Sequence, residues 1–200
     1  MNLALFDFDG TLTTKDSLGE FLKFCVGKRK YYLKLILFAP IFILYKLKFM
    51  KNDKAKEILF CIFFKDKSQQ YFQTLAENFV HYELQNIINP TTYAILQKHK
   101  KDGNKIVLVS ASMKCWLEPW CKKENIDLLC TELDFQNERF TCRFKTKNCH
   151  GKEKVNRIKQ HLDLSKFSEI YAYGDSNGDT QMLQLADFAF MVKKNEIQKI

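Results

Sequence analysis

Runs of apolar residues and stretches of helical spacing alternate along the chain. The runs at 2–8, 106–110 and 168–174 are mainly apolar, as is typical of strands buried on both faces. Between these runs, apolar residues three or four positions apart predict helices at 18–25, 68–84, 90–101, 114–124, 151–161 and 178–185. Strands that alternate with helices predict an α/β fold, with a mostly parallel sheet flanked by helices.

Two weaker strand patterns complete this prediction. Residues 128–134 and 139–145 flank Gln136-Asn137-Glu138, an arrangement that predicts a β-hairpin. Residues 187–192 predict a last short strand. The sequence contains no internal repeat, so the sheet is expected to form a single core.

The most apolar part of the chain lies at 31–50, ahead of a second apolar run at 58–64. Its longest uncharged stretch, 35–45, has eleven residues and contains Pro40. A spanning helix needs roughly 20 apolar residues, whereas 10–14 suit a core helix or an interfacial segment. The sequence therefore predicts no transmembrane span here. It leaves two alternatives open, a segment at a membrane interface or a helix packed inside the protein.

The positive charge of the chain is concentrated in the same region. The formal net charge is +9. Residues 23–56 hold one acidic residue, Asp53, and ten basic ones, namely Lys23, Lys28, Arg29, Lys30, Lys34, Lys46, Lys48, Lys51, Lys54 and Lys56. This segment thus carries the whole net charge. Because its lysines interleave with aliphatic residues and match no recognised binding motif, we expect no nucleic-acid partner.

The cysteines and the start of the chain bear on where the protein works. Seven cysteines form no Cys-x-x-Cys pair, and the four histidines do not cluster with them. We therefore expect reduced, packed cysteines and no zinc site. The chain begins with a strand pattern and shows no signal-peptide features. These features predict a cytoplasmic protein, either free or peripheral at the inner face of the cytoplasmic membrane.

Residues that can carry chemistry follow the predicted strands. Asp7 and Asp9 are spaced i, i+2, so both side chains can lie on one side at the end of the first strand. Ser110 ends the second strand, and Asp175 and Asp179 follow the third. Ligands of open parallel sheets bind at the carboxyl ends of the strands. We therefore expect these residues to share one site.

A lysine at the start of the helix at 151–161 completes the set. Acid pair, hydroxyl, lysine and acid pair is the motif order of the haloacid dehalogenase (HAD) phosphohydrolase superfamily, which the chain resembles over nearly its whole length. The family pattern Cys-x-Gly-x-x-Lys-Val, here Cys149 to Val155, selects Lys154 over Lys152. The resemblance implies a Rossmann-like core, a phosphomonoester substrate and Mg²⁺ as cofactor.

The acidic residues then take separate roles in this interpretation. Asp7 attacks phosphorus, forms an aspartyl phosphate and binds Mg²⁺. Asp9 acts as general acid and base, and its backbone carbonyl reaches the metal. Asp175 supplies a second carboxylate and Asp179 lies in the outer shell. The ordinary alternatives are turn residues for the first pair and helix N-terminal acids for the second.

The remaining residues bind the phosphate in this interpretation. Ser110 and the backbone N–H of Ala111 hold a phosphoryl oxygen, with Ser112 as the rival hydroxyl. Lys154 neutralises phosphate and nucleophile. The ordinary alternatives are a serine in a turn and a lysine on a solvated helix face.

A long insertion separates the first two motifs and resembles the helical cap of the phosphoserine phosphatase branch. We expect a core domain from 1–14 and 87–200 and an inserted all-helical cap from 15–86. Phosphoserine phosphatases carry Glu nine residues after the nucleophile, where this chain has Asp16, which we expect to contact the substrate. They also carry Gly-Asp-Gly-x-Asn-Asp, where this chain has Gly174-Asp175-Ser176-Asn177-Gly178-Asp179.

The cap is more similar to that of the class C phosphatidylglycerophosphatases. The shared features are Asp16 to Leu22, the basic patch, the apolar run with its proline, and Leu75 to Val80. This similarity implies a lipid phosphomonoester such as phosphatidylglycerol phosphate. Cations beside an apolar interfacial segment each contribute about 1 kcal/mol near anionic head groups. The candidate membrane-facing cations are Lys30, Lys34, Lys46 and Lys48.

Three functions therefore stay open at this stage. The first is a Mg²⁺-dependent phosphatase acting on a lipid phosphate at an anionic membrane surface. The second is a soluble phosphatase of the phosphoserine phosphatase type, whose cap has residues 35–45 and 58–64 as its own core. The third is a membrane-binding module with vestigial catalytic motifs. The sequence leaves the oligomeric state undetermined.

Overall fold

A six-stranded sheet forms the centre of the computed structural model, which describes residues 1–193 and 196–200. The strands are β1 (Leu3–Phe6), β2 (Lys105–Met113), β3 (Asp127–Thr131), β4 (Leu133–Gln136), β5 (Arg139–Phe144), β6 (Ile170–Gly174), β7 (Phe188–Lys193) and β8 (Glu196–Lys199). The sheet order is β3-β2-β1-β6-β7-β8, and only the β7–β8 pair is antiparallel. The predicted α/β fold is confirmed, whereas β8 was not expected.

Eight helices surround this sheet in the described part of the chain. They are α1 (Ser17–Val26), α2 (Lys28–Lys46), α3 (Asn52–Phe64), α4 (Gln69–Tyr82), α5 (Pro90–Lys101), α6 (Lys114–Glu124), α7 (Lys152–His161) and α8 (Thr180–Leu183). The side chains of Asp16, Ser68 and Asn89 accept backbone N–H groups at the starts of α1, α4 and α5. Local capping therefore fixes where these helices begin.

Strand β1 is buried on both faces, as its continuous apolar pattern predicts. Ala4 and Phe6 belong to one hydrophobic cluster, and Leu3 and Leu5 belong to a second. The alternation of side chains along a strand sends these two pairs to opposite faces. The carboxyl end of β1 is therefore held rigidly between two packed layers.

The predicted hairpin is partly wrong. Residues 127–131 form β3, which pairs in parallel with β2 at the edge of the main sheet. The antiparallel hairpin consists of β4 and β5. Residues 127–131 therefore join the main sheet through a long-range pairing with β2, and the local turn does not draw them into the hairpin.

The inserted helices α1 to α4 leave and rejoin the rest of the chain at one place. The Thr14 N–H donates to the Ile87 carbonyl at 2.7 Å, and the Asn89 N–H donates to that of Leu12 at 2.9 Å. Phe21 of α1 stacks on Trp116 of α6 with ring centroids 4.5 Å apart. The inserted helices therefore share a hydrophobic cluster with the sheet layer. The division into core and cap at 14/15 and 86/87 remains a prediction.

The two apolar helices of the insertion are buried very differently. Helix α3 buries Leu59, Phe60, Phe63 and Phe64. In α2, only Phe38 is buried. The alternative in which residues 35–45 form part of the cap's own core is therefore wrong for most of that stretch. Within residues 1–193 and 196–200, no helix is both long and apolar enough to cross a membrane.

The expectation of reduced cysteines is wrong for one pair. Cys61 of α3 and Cys142 of β5 form a disulfide with a Cα–Cα distance of 4.8 Å. The two residues are 81 positions apart, so their pairing depends on how α3 packs against the hairpin. The other cysteines are free thiols, at positions 25, 115, 121, 130 and 149.

Candidate active site

The first acidic pair lies where β1 ends. The Asp7 N–H still belongs to the sheet, because it donates to the Tyr173 carbonyl at 2.9 Å. The chain then makes a tight turn over Phe8–Leu12, in which Gly10 has φ +81°. A Cβ at Gly10 would overlap the carboxylate of Asp175. Glycine is therefore required both by the turn and by the acidic group behind it.

Lys154 lies at the centre of the site and is 2 % exposed. Its ammonium donates to Asp7 Oδ1, to Asp179 Oδ1 at 2.6 Å and to the Val109 carbonyl at 2.7 Å. These contacts use all three of its N–H groups. The structure therefore brings Lys154, rather than Lys152, to the acidic residues, and it excludes the solvated helix face for this side chain.

Three carboxylates gather at the ends of β1 and β6. Asp7, Asp175 and Asp179 each offer an oxygen, and these oxygens lie within 4.8 Å of one another. Asp179 Oδ2 also accepts the Ser176 hydroxyl at 2.9 Å, which fixes the orientation of its carboxylate. A set of carboxylate oxygens alone is the donor set that Mg²⁺ prefers and is poor for softer metals. The residues present therefore fit a magnesium ion.

Burial and mutual charge shift the titration of these groups. Burial raises the pKa of Asp7 to about 8, although Lys154 acts in the opposite direction. Burial and the charge of Asp179 raise the pKa of Asp175 to about 6. For Asp179, burial is outweighed by Lys154, which lowers the pKa. Burial would lower the pKa of Lys154, but the two carboxylates outweigh it and raise the value.

Asp9 is hydrogen-bonded to Ser17 and Ser112, whereas Lys154 contacts Asp7 and Asp179. Its Oδ1 accepts the Ser17 N–H at 2.6 Å, and its Oδ2 accepts the Ser112 hydroxyl at 2.5 Å. Burial raises the pKa of Asp9, as does the charge of Asp16, while the two hydrogen-bond donors oppose this shift. The sequence predicted Asp9 as a site residue but gave no sign of Ser17 as its partner.

Ser110 and Ser112 lie close together at the end of β2. Ser110 is buried, and its hydroxyl oxygen accepts the Ser112 N–H at 3.0 Å. The Ala111 carbonyl accepts the Thr131 hydroxyl at 3.2 Å. Ser112, the rival of Ser110 in the sequence, contacts Asp9 instead. The two hydroxyls therefore have separate surroundings.

Lys56 is a residue near this site that sequence reasoning missed. Its ammonium is 3.4 Å from the Ala111 carbonyl, and among the described residues it forms no ion pair. Burial lowers the pKa of Lys56, which the charges of Asp9, Asp16 and Asp7 oppose. No motif singled out Lys56 from the other lysines of the basic segment, because only the packing of α3 brings it here.

The other predicted site residues lie in the inserted helices. Asp16 is exposed and caps α1 by accepting the Gly19 N–H at 2.8 Å. Lys30, Lys46 and Lys48 are exposed. Lys34 is different, because its ammonium donates to the Ile62 carbonyl of α3. The structure therefore directs Lys34 towards the protein and the other three towards solvent.

The fold and these motifs define a family. The profile of the haloacid dehalogenase-like hydrolases matches residues 4–184, and the chain belongs to this family. The prediction of a HAD enzyme is thereby confirmed.

The chain is also similar to particular proteins and solved structures. The chain is 32 % identical over 188 residues to protein CicA of Caulobacter vibrioides, covering 92 % of this chain and 83 % of CicA. A crystal structure of a protein of unknown function from Bordetella pertussis Tohama I superposes with a TM-score of 0.80, at 22 % identity, over 92 % of this chain and 86 % of that one. A phospho-aspartyl intermediate analogue of phosphoserine phosphatase superposes with a TM-score of 0.64, at 15 % identity, over 92 % and 83 % of the two chains.

Proposed function

We propose that the protein is a phosphomonoesterase that works through an aspartyl phosphate on Asp7. The observation that carries this proposal is the buried contact of Lys154 with Asp7 and Asp179, beside Asp175, at the carboxyl ends of β1 and β6. A buried ammonium shared by two carboxylates sets up a site where an anionic substrate can meet an anionic nucleophile. The similarity in fold to the structure of a phospho-aspartyl intermediate analogue of phosphoserine phosphatase supports the same chemistry.

Two carboxylates divide the chemical work in this proposal. In the first half, an Asp7 oxygen bonds to phosphorus while the ester P–O bond breaks, and the leaving oxygen takes a proton from Asp9. In the second half, a water oxygen attacks phosphorus and gives its proton to Asp9. The bond between Asp7 and phosphorus breaks, and inorganic phosphate leaves. Asp9 thus ends each cycle protonated again.

Phosphate and cofactor are held by the remaining residues. The Ser110 hydroxyl and the Ala111 N–H bind the phosphoryl oxygens, and the Lys154 ammonium joins them by exchanging one of its carboxylate acceptors for a phosphoryl oxygen. The carboxylates of Asp7 and Asp175 and the carbonyl of Asp9 would hold Mg²⁺, with Asp179 in the outer shell. When bound, the ion offsets the negative charge of phosphate and nucleophile.

For the substrate, we propose a lipid phosphomonoester such as phosphatidylglycerol phosphate, reached at an anionic membrane surface. The observation behind this choice is the outward face of α2, where Ile36 and Leu37 are each 68 % exposed, Leu33 is 64 % exposed and Ile43 is 56 % exposed. Soluble proteins seldom expose a contiguous apolar surface of this kind without a binding role.

The positive charges at both ends of α2 favour an anionic membrane as the partner of its exposed apolar face. The exposed cations Lys28, Arg29 and Lys30 lie at the start of α2, and Lys46 and Lys48 lie at its end. Cations that border an apolar helix face complement anionic lipid head groups. A second copy of the chain would bring the same positive charges together, which opposes self-association through this face.

The second candidate is a soluble phosphatase of the phosphoserine phosphatase type, which the fold similarity favours. In that case Asp16, at the start of α1, would contact the small substrate. The third candidate, a vestigial membrane module, fits poorly with a buried lysine that contacts two carboxylates, because an unused site has no need of this costly arrangement.

The test is release of phosphate from phosphatidylglycerol phosphate in vesicles, compared with a panel of soluble phosphomonoesters. Reactions contain Mg²⁺ or a chelator. Asp7→Asn is expected to abolish turnover, and Asp163→Asn, which changes an exposed carboxylate, is the control. Preference for the lipid supports the membrane substrate, and preference for a soluble ester supports the second candidate. Normal turnover by Asp7→Asn would remove Asp7 as nucleophile.

A further inference from the structure

A buried row of hydrogen-bonding groups runs from α6 to the carboxylate of Asp9. The Trp116 indole N–H donates to Ser17 Oγ at 3.1 Å. Ser17 Oγ and Ser112 Oγ are 3.3 Å apart, and Ser112 Oγ donates to Asp9 Oδ2 at 2.5 Å. Ser17, Ser112 and Trp116 are all buried. Bulk water therefore cannot easily replace these contacts.

While Asp9 is ionised, the chemistry of the two ends fixes the direction of every bond in this row. An indole nitrogen can only donate, and an ionised carboxylate can only accept. The Ser112 hydroxyl gives its single hydrogen to Asp9, so in its contact with Ser17 it can only accept. The Ser17 hydroxyl, which accepts from Trp116, therefore donates to Ser112. The row has a single polarity, and all of its donors point towards the carboxylate. When Asp9 is protonated for its role as an acid, the proton takes a second lone pair of an oxygen, and the hydrogen bonds from Ser17 and Ser112 can stay.

The second oxygen of Asp9 is held by the same serine. The Ser17 N–H donates to Asp9 Oδ1 at 2.6 Å. Ser17 therefore contacts one oxygen of Asp9 through its backbone and supports the other through Ser112. With both oxygens bonded, rotation of the carboxyl group would break at least one short hydrogen bond.

We propose that Ser112, supported by Ser17 and Trp116, is a positioning residue that holds the Asp9 carboxyl in the one orientation suited to proton transfer. This inference rests on the proposed function, in which Asp9 gives a proton to the leaving oxygen. Ser112 does not touch the substrate. It acts through Asp9, and its hydroxyl is the group that matters.

The test uses two esters that differ in their need for a proton. An alkyl phosphate such as glycerol phosphate has a poor leaving group that must be protonated, whereas p-nitrophenyl phosphate releases a stable phenolate. kcat/KM reports only the steps through departure of the leaving group, so it excludes the later reaction with water. We expect Ser112→Ala to lower kcat/KM at least tenfold, and up to about 100-fold, for glycerol phosphate. For p-nitrophenyl phosphate we expect a change of less than about threefold.

Two further variants separate positioning from packing. Ser112→Thr keeps the hydroxyl and is expected to keep the wild-type ratio between the two esters. Trp116→Phe removes the indole N–H and is expected to shift the ratio in the same direction as Ser112→Ala, by less. Ser165→Ala, an exposed hydroxyl outside the site, is the control. Thermal unfolding of each variant verifies that it folds.

The outcomes are distinguishable. Equal losses for both esters in Ser112→Ala would overturn the inference, since a merely structural role gives that result. No loss for either ester would also overturn it. If the wild-type protein with Mg²⁺ hydrolyses neither these esters nor the lipid, the proposed function itself fails, and the role of Ser112 fails with it.

Discussion

Helices α2 and α3 follow each other in the chain and are both rich in large apolar residues, yet they occupy opposite environments. Helix α3 lies between α2 and the β4–β5 hairpin, and it buries phenylalanines on both sides. Helix α2 packs on α1 and α3, buries only Phe38, and leaves most of its large apolar side chains exposed. Apolar content alone therefore does not decide which helix belongs to the core.

The difference shows that the role of an apolar helix depends on whether other elements of the protein pack over its apolar side chains. In α3, the rings of Phe60 and Phe64 contact one another and neighbours from α4, α6 and β5. In α2, the exposed residues have no protein neighbour that could shield them in the described part of the chain. Burial of α3 is expected to contribute to folding, and the face of α2 is expected to contribute to binding. The following predictions test this division.

The largest effect is expected in α3. Phe64→Ala should lower the free energy of unfolding by about 3–5 kcal/mol, because it removes a fully buried ring and leaves a cavity. Chemical denaturation measures this change. The matched control is Phe49→Ala, which removes a ring that is 81 % exposed and should change stability by less than about 0.5 kcal/mol. Similar losses in the two variants would contradict the comparison.

The next effect concerns the bond between α3 and the hairpin. Cys61→Ser should lower the free energy of unfolding of the oxidised protein by about 2–4 kcal/mol, because the disulfide restricts the unfolded chain. Denaturation with and without reductant measures it. Reductant should remove most of the difference from the wild-type protein, and Cys25→Ser, at a free thiol, is the control. A wild-type protein whose stability does not respond to reductant would refute this prediction.

A smaller effect per residue is expected on the face of α2. Ile36→Ser and Leu37→Ser should each weaken binding to anionic vesicles by about 1–2 kcal/mol, roughly tenfold, with little change in stability. Vesicle sedimentation gives the affinities. Tyr82→Ser, which alters an exposed ring at the end of α4, is the control. If the wild-type protein instead dimerises and these variants are monomers, the face serves self-association.

The smallest effect per residue is expected from the cations. Changing Lys30, Lys46 and Lys48 to Glu should weaken binding to anionic vesicles by about 1 kcal/mol per lysine. The loss should shrink as salt is raised, because exposed charges are screened. The same change at Lys98, Lys101 and Lys123, which are exposed elsewhere, is the control. Equal losses in both triple variants would mean that overall charge, and not the α2 face, governs binding.

Much of this architecture could be predicted because it depends on local patterns. The alternation of strands and helices gave the parallel sheet, and strand ends placed Asp7, Ser110 and Asp175 on one edge. Lys154 required the family pattern, since its helix start also offers Lys152. The roles of these residues remain proposals.

Apart from β8, which pairs with the adjacent strand β7, the missed features depend on contacts between distant parts of the chain. Ser17 and Ser112 are 95 positions apart, and Cys61 and Cys142 are 81 apart. Strand β3 paired with β2 rather than with the hairpin, although its residues fitted a hairpin equally well. For α2, the sequence alone leaves two alternatives open, a segment at a membrane interface or a helix packed inside the protein. Periodicity cannot show which faces of a helix are covered by other elements.

The hydrogen bonds from Ser17 and Ser112 to Asp9 link the two layers of the protein. Ser17 begins α1 in the inserted helices, whereas Ser112 ends β2 in the sheet, so the two groups meet only when both layers are in contact. Any movement that lifts α1 to admit a substrate would break the contacts of Ser17, so the Asp9 carboxyl would keep only its hydrogen bond from Ser112. Under the proposed function, Asp9 would therefore be held at both oxygens for proton transfer only while α1 lies against the sheet layer.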